Sequence, residues 1–172
     1  MRTTVLAVIA LLAASVSLFA QEKGGNENIR YSNITEFGVF TTSPLGIAIE
    51  ATTVQGFSID KQHYIGLGIG FGGSFHSANN TAYMPIFANY RYYFNPNKVF
   101  SPHTNIALGG MAVRDGEGIY SAITMGFKAG HFSFSSGLSF MAIHAAQRYD
   151  YRYFNKTWYY PFGITLKCGF SF

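Results

Sequence analysis

Five histidines, at positions 63, 76, 103, 131 and 144, are the first residues in this chain that could do metal or acid–base chemistry. They are separated by 13, 27, 28 and 13 residues. Metal ligands usually include a closely spaced pair that points one way from a single element. None of these spacings supplies one, so no metal site is expected. The single cysteine, Cys168, excludes a disulfide framework and a Cys-ligated zinc centre. Gly68-Ile-Gly-Phe-Gly-Gly73 contains the pattern G-x-G-x-x-G. A phosphate-binding version needs a helix opening on its last glycine. Here the small residues simply continue with period two into Ser74-Phe75, so no nucleotide and no other cofactor is expected.

Two charged groups remain. Glu36, Glu50, Arg91, Lys128 and Lys167 are single charges of mixed sign, well separated along the chain. Arg148, Tyr149, Tyr151, Arg152 and Lys156 form a denser cluster, with Asp150, Tyr153 and Phe154 among them. Cations interleaved with rings can hold phosphates or glycans through charge-assisted hydrogen bonds and stacking. The competing reading of that cluster is a solvated loop with an aromatic anchor.

The composition narrows what could carry these groups. Of 172 residues, 48% are hydrophobic, 17% aromatic and only 12% charged, about half the charge of an ordinary globular domain. The first twenty residues have the layout of a secretory signal peptide. Arg2 precedes the apolar run Val5 to Ala14, small residues follow, and cleavage is expected after Ala20. The expected organisation is a signal peptide over 1–20 and one domain over 21–172. The full chain carries a net charge of +4. Its basic residues form no stripe, which argues against a nucleic-acid partner.

Alternation runs through the rest. From Phe162 to Phe172 every even position is apolar and every odd one is Gly, Ser, Thr or Lys. Such a segment is a strand with one apolar face. The same pattern occupies 65–72, 86–94, 105–112, 123–128 and 132–140, and more weakly the stretches around Phe37 and Ile47, giving eight candidate strands. Phe87, Ser136 and Met141 break the rule. Turn-forming residues separate the strands near 43, 60, 79, 96, 115 and 130, and a longer loop is expected from about His144 to Thr157.

The second face decides the solvent. A water-soluble barrel would present Lys, Glu and Asp there, whereas this one presents Gly, Ser, Thr and Asn, which suit a narrow interior. The expectation is a closed antiparallel eight-stranded transmembrane β-barrel, up-and-down, with short periplasmic turns and longer outer loops. Glycines on the inner face of the third strand would leave room for Glu50 to reach Arg91. Glu36 would neighbour Lys167 on the closing strand, and Lys128 would join them.

The strand pattern, the signal peptide and the ending Gly169-Phe170-Ser171-Phe172 resemble small eight-stranded outer-membrane barrels. These include the outer membrane protein A membrane domain and outer membrane protein X. Tyr64–Phe71 followed by Met84–Phe94 resembles Bacteroides-type porin-like families of unassigned function. The resemblance implies a bacterial outer-membrane location, with Phe170 and Phe172 as the signal to the barrel assembly machinery. It also implies contact with outer-membrane lipid and lipopolysaccharide. No catalytic residue is expected, and any surface ligand stays unnamed. The function expected is structural or surface-interacting with a filled polar lumen. A narrow channel for ions or small solutes is the alternative. A lipid-modifying enzyme trails, because His144 is followed by Ala145 and Ala146 without a matching serine.

Overall fold

The computed structural model describes residues 28–43, 46–75, 81–113, 116–149 and 153–172, with the backbone alone at 42–43, 81, 145–149 and 153–157. The signal-peptide reading of 1–20 lies outside the described residues, as do His76, Tyr151 and Arg152.

Among the described residues the chain is strand and turn. The strands are β1 (Ile29–Ser43), β2 (Gly46–Ile59), β3 (His63–Phe75), β4 (Thr81–Tyr93), β5 (Phe100–Val113), β6 (Gly116–Ala129), β7 (Phe132–Tyr149), β8 (Tyr153–Tyr159) and β9 (Phe162–Ser171). Each pairs antiparallel with its predecessor in the sequence up to β8, and β9 joins β7 to β1. The sheet is therefore a closed up-and-down barrel, with β8 continuing the ladder past the closing seam and pairing, among the described residues, with β7 alone. β8 and β9 are two halves of its eighth strand: both pair with β7, and only Tyr160-Pro161 interrupts them. Pro161 has no N–H to give the ladder, but its carbonyl accepts from the Met141 N–H at 2.9 Å.

One rim is stitched by backbone hydrogen bonds between turns. Asp60 N–H reaches Asn28 O at 2.8 Å, Tyr93 N–H reaches Gln62 O at 2.8 Å, and Ser171 N–H reaches His131 O at 2.8 Å. Because the first strand begins here and Phe172 ends here, we call it the terminal rim. The β2–β3 turn places Asp60 (φ 50°) and Lys61 (φ 59°) consecutively in the left-handed region, the backbone that two-stranded connections with right-handed twist require.

Alternation sorts the side chains as the pattern demands. Leu67, Phe71 and Met125 point outward with 71%, 66% and 64% of their surface exposed. Glu36, Glu50, Arg91 and Lys167 point inward and are each at most 5% exposed. The molecule is inside-out relative to a water-soluble protein. Phe87 and Met141, which break the apolar-polar rule, obey the geometric one: both are inward and buried.

The loop expected from about His144 to Thr157 is largely ladder. β7 runs to Tyr149 and β8 starts at Tyr153, with Ala145 opposite Thr157 and Arg148 opposite Phe154. Charge density suggested a loop, but charged residues are compatible with a hairpin that extends past the apolar belt.

Candidate functional site

The lumen brings the inward charges together, with partners other than those expected. Arg91 Nη2 lies 2.5 Å from Glu36 Oε1, and Lys167 Nζ lies 2.5 Å from Glu50 Oε1. The expected pairs, Glu50 with Arg91 and Glu36 with Lys167, are exchanged. The reason is geometric. Gly38 on β1 stands opposite Glu50 on one side and Lys167 on the other. With no side chain between them, the two meet over it. Strands in a closed barrel tilt against its axis, so Arg91 on β4 comes level with Glu36 across the lumen rather than with the residues on its own register line.

Aromatic hydroxyls complete the upper pair. Tyr120 donates to Glu50 Oε1 at 3.1 Å and accepts from Lys167 Nζ at 3.1 Å, while Tyr83 donates to Glu50 Oε2 at 3.3 Å. Both carboxylate oxygens are thus engaged, as a buried charge requires. Neither tyrosine was marked by the sequence reading. Their signal was parity, since Tyr83 and Tyr120 occupy the small-residue phase of their strands. Below them an amide ladder crosses the wall: Asn89 Nδ2 donates to Asn105 Oδ1 at 2.8 Å, and Asn105 Nδ2 to Thr124 Oγ1 at 3.4 Å.

The glycines of β3 make room, but for rings. Gly68 is opposite Phe87 and Gly72 opposite Tyr83. A Cβ at these glycines would meet Phe87 Cζ at 2.4 Å and Tyr83 Cζ at 2.2 Å. These glycines lie in mid-strand, so the G-x-G-x-x-G pattern has no helix to open on.

Lys128 lies near the terminal rim, its ammonium 5.6 Å above the Tyr93 ring. Three other histidines have local roles. His63 Nδ1 is 2.9 Å from the Tyr90 hydroxyl, His131 Nδ1 donates to Ser171 O at 2.7 Å, and the His144 ring stacks on Trp158 at 4.8 Å. No group of three potential metal ligands forms among the described residues.

Phe170 and Phe172 are both outward. Phe172 is fastened to β1 through Asn33, with N–H to O distances of 3.0 and 2.9 Å in the two directions. Of the second cluster, Arg148, Tyr149 and Lys156 fall on the β7–β8 hairpin by backbone register.

No family model matches the chain, and no curated protein matches it in sequence. The solved structures that resemble it include two barrels. The N-terminal β-barrel domain of Pseudomonas aeruginosa OprF superposes with a TM-score of 0.51 at 10% identity, covering 82% of this chain and 97% of that one. This likeness is one of fold. Neisserial surface protein A (NspA) gives a TM-score of 0.47 at 10% identity, over 87% of this chain and 100% of that one.

Proposed function

We propose that the chain is an integral barrel of a bacterial outer membrane, exported through loss of residues 1–20, with a plugged lumen and a structural or surface-interaction role. The observation that carries this is the inverted polarity. Large apolar side chains cover the outer wall from Phe37 to Phe170, while four charges sit inside as two ion pairs. Exposing that wall to water would cost about 25 cal/mol for each Å² of apolar surface, and lipid removes the cost. Closure of the sheet removes the edge strands that hydrocarbon does not tolerate.

In this reading the terminal rim faces the periplasm. Phe170 and Phe172, exposed at the end of the last strand, are what the assembly machinery reads. The hairpin of β7 and β8 extends outward past Trp158. The residues proposed to contact lipopolysaccharide phosphates are Arg148, Tyr149, Tyr151, Arg152 and Lys156, which precede Trp158 in the sequence. No catalytic step belongs to this reading, since the cross-strand neighbours of His144 are Glu117 and Trp158, neither a nucleophile paired with a base.

A narrow ion path is the second reading. It is favoured by one observation: Glu36 occupies the inward position of β1 next to Gly38, over which Glu50 and Lys167 meet, so the two ion pairs adjoin along the lumen. Planar-bilayer conductance separates the two. A plugged barrel gives no steady current in the wild type and opens in Glu50→Ala or Arg91→Ala. Steady wild-type current selects the channel and overturns the plug.

A further inference from the structure

Two inward carboxylates, Glu36 and Glu50, are each committed to one cation, Arg91 and Lys167. Lys128 is left over. Among the described residues no carboxylate lies within ion-pair distance of its ammonium, which rests instead over the Tyr93 ring. A half-buried lysine with no counter-charge carries a desolvation cost that the Tyr93 ring offsets only in part.

Its surroundings are donors. Ser101 and Ser133 flank Lys128 on the neighbouring strands, and His103 lies one inward position above Ser101. His103 is 1% exposed, yet neither ring nitrogen has a hydrogen-bond partner. The Ser101 hydroxyl, 3% exposed, is also without one, and so is Arg91 Nε. The His103 ring packs 5.5 Å from Tyr93, and the charges of Arg91, Glu36 and Lys128 all reach it. Buried polar atoms are nearly always satisfied, so several orphans converging beside an unmatched cation point to something they hold together.

We propose that Lys128, His103 and Ser101 form a binding site for a small monovalent inorganic anion at the terminal end of the lumen. One negative charge balances the one unmatched lysine. The imidazole N–H and the serine hydroxyl supply directed hydrogen bonds, and the ammonium supplies the charge-assisted one. A cation is disfavoured because Arg91 and Lys128 outnumber Glu36, the one carboxylate whose charge reaches His103. The site is separate from the Glu50–Lys167 network, and it does not depend on whether the lumen conducts.

Chloride is the probe. The full chain, folded in detergent micelles, is titrated into sodium chloride and the chloride-35 NMR linewidth is measured, with gluconate holding the ionic strength constant. Wild-type protein broadens the line in a saturable way. Lys128→Met and Ser101→Ala each weaken the chloride affinity about tenfold or more, as expected for loss of a hydrogen bond to a charged group. Lys61→Ala, a turn variant, leaves it unchanged. Folding of each variant is checked by heat-dependent gel mobility. If Lys128→Met does not fold, Ser101→Ala and the wild-type titration still decide. Saturable broadening that folded Lys128→Met or Ser101→Ala retains in full overturns the proposal, and so does a wild-type line no broader than that of the heat-unfolded chain.

Discussion

Glu50 and Lys167 meet over Gly38, their charged atoms 2.5 Å apart, because each is the cross-strand partner of that glycine from opposite sides. The glycine is thus part of the ion pair although it carries no charge. A Cβ there would lie 3.1 Å from Lys167 Cγ and 3.3 Å from Glu50 Cγ.

Gly38→Val is therefore expected to destabilise the folded barrel by about 1–3 kcal/mol, the usual cost of overfilling a packed interior. Gly38→Ala should cost less, because the methyl group needs only a small shift from two flexible side chains. Urea midpoints of the two variants in micelles measure the difference. Equal midpoints for wild type and Gly38→Val would contradict the packing described.

Arg91 and Glu36 form the second test. Glu36→Leu alone leaves a buried guanidinium without its carboxylate, at a cost of about 3–5 kcal/mol. Adding Arg91→Met should recover most of that loss, since the orphan charge is gone. The double-mutant cycle reads the coupling directly, and strictly additive losses would show that the pair does not interact.

Gly68 and Phe87 should be coupled in the same manner. Gly68→Ala drives a methyl group into the Phe87 ring and is expected to cost about 1–3 kcal/mol. In a Phe87→Leu background the same change should cost less than in the wild type. A Gly68→Ala penalty that is unchanged by Phe87→Leu would mean that the ring lies elsewhere.

These sites also mark how far the sequence could be read. From Phe162 to Phe172 one side chain in two is apolar, and the alternation alone placed every residue of β9 on its face. Closure followed from the same pattern. The ion pairing did not, because neighbour counting along the chain ignores tilt. Tilt is what carries Arg91 past Glu50's level to Glu36. Tyr83, Phe87 and Tyr120 were legible in parity but hidden by type, since an aromatic side chain in the small-residue phase breaks the apolar–polar alternation that marks the faces. The β7–β8 hairpin was hidden by its charge, which resembles that of a loop.

Phe172 offers a further prediction. Its backbone pairs with Asn33 in both directions, so removing it shortens the seam that closes the barrel. Deletion of Phe172 should lower the yield of the heat-modifiable folded form in cells more than Phe172→Leu does, as followed by gel mobility of the membrane fraction. Equal yields for the deletion and the wild type would remove the assembly role from this residue.

The lone cysteine gives the most direct test of the central claim, that this outer wall faces lipid. Cys168 is exposed on that wall, in β9 between Phe37 of β1 and Phe134 of β7. A nitroxide attached there in the unfolded chain, followed by folding into lipid vesicles, reports its surroundings through collisions with oxygen and with a water-soluble nickel chelate. The account predicts frequent collisions with oxygen and few with the chelate. Chelate collisions at the rate of a solvent-exposed site would contradict it.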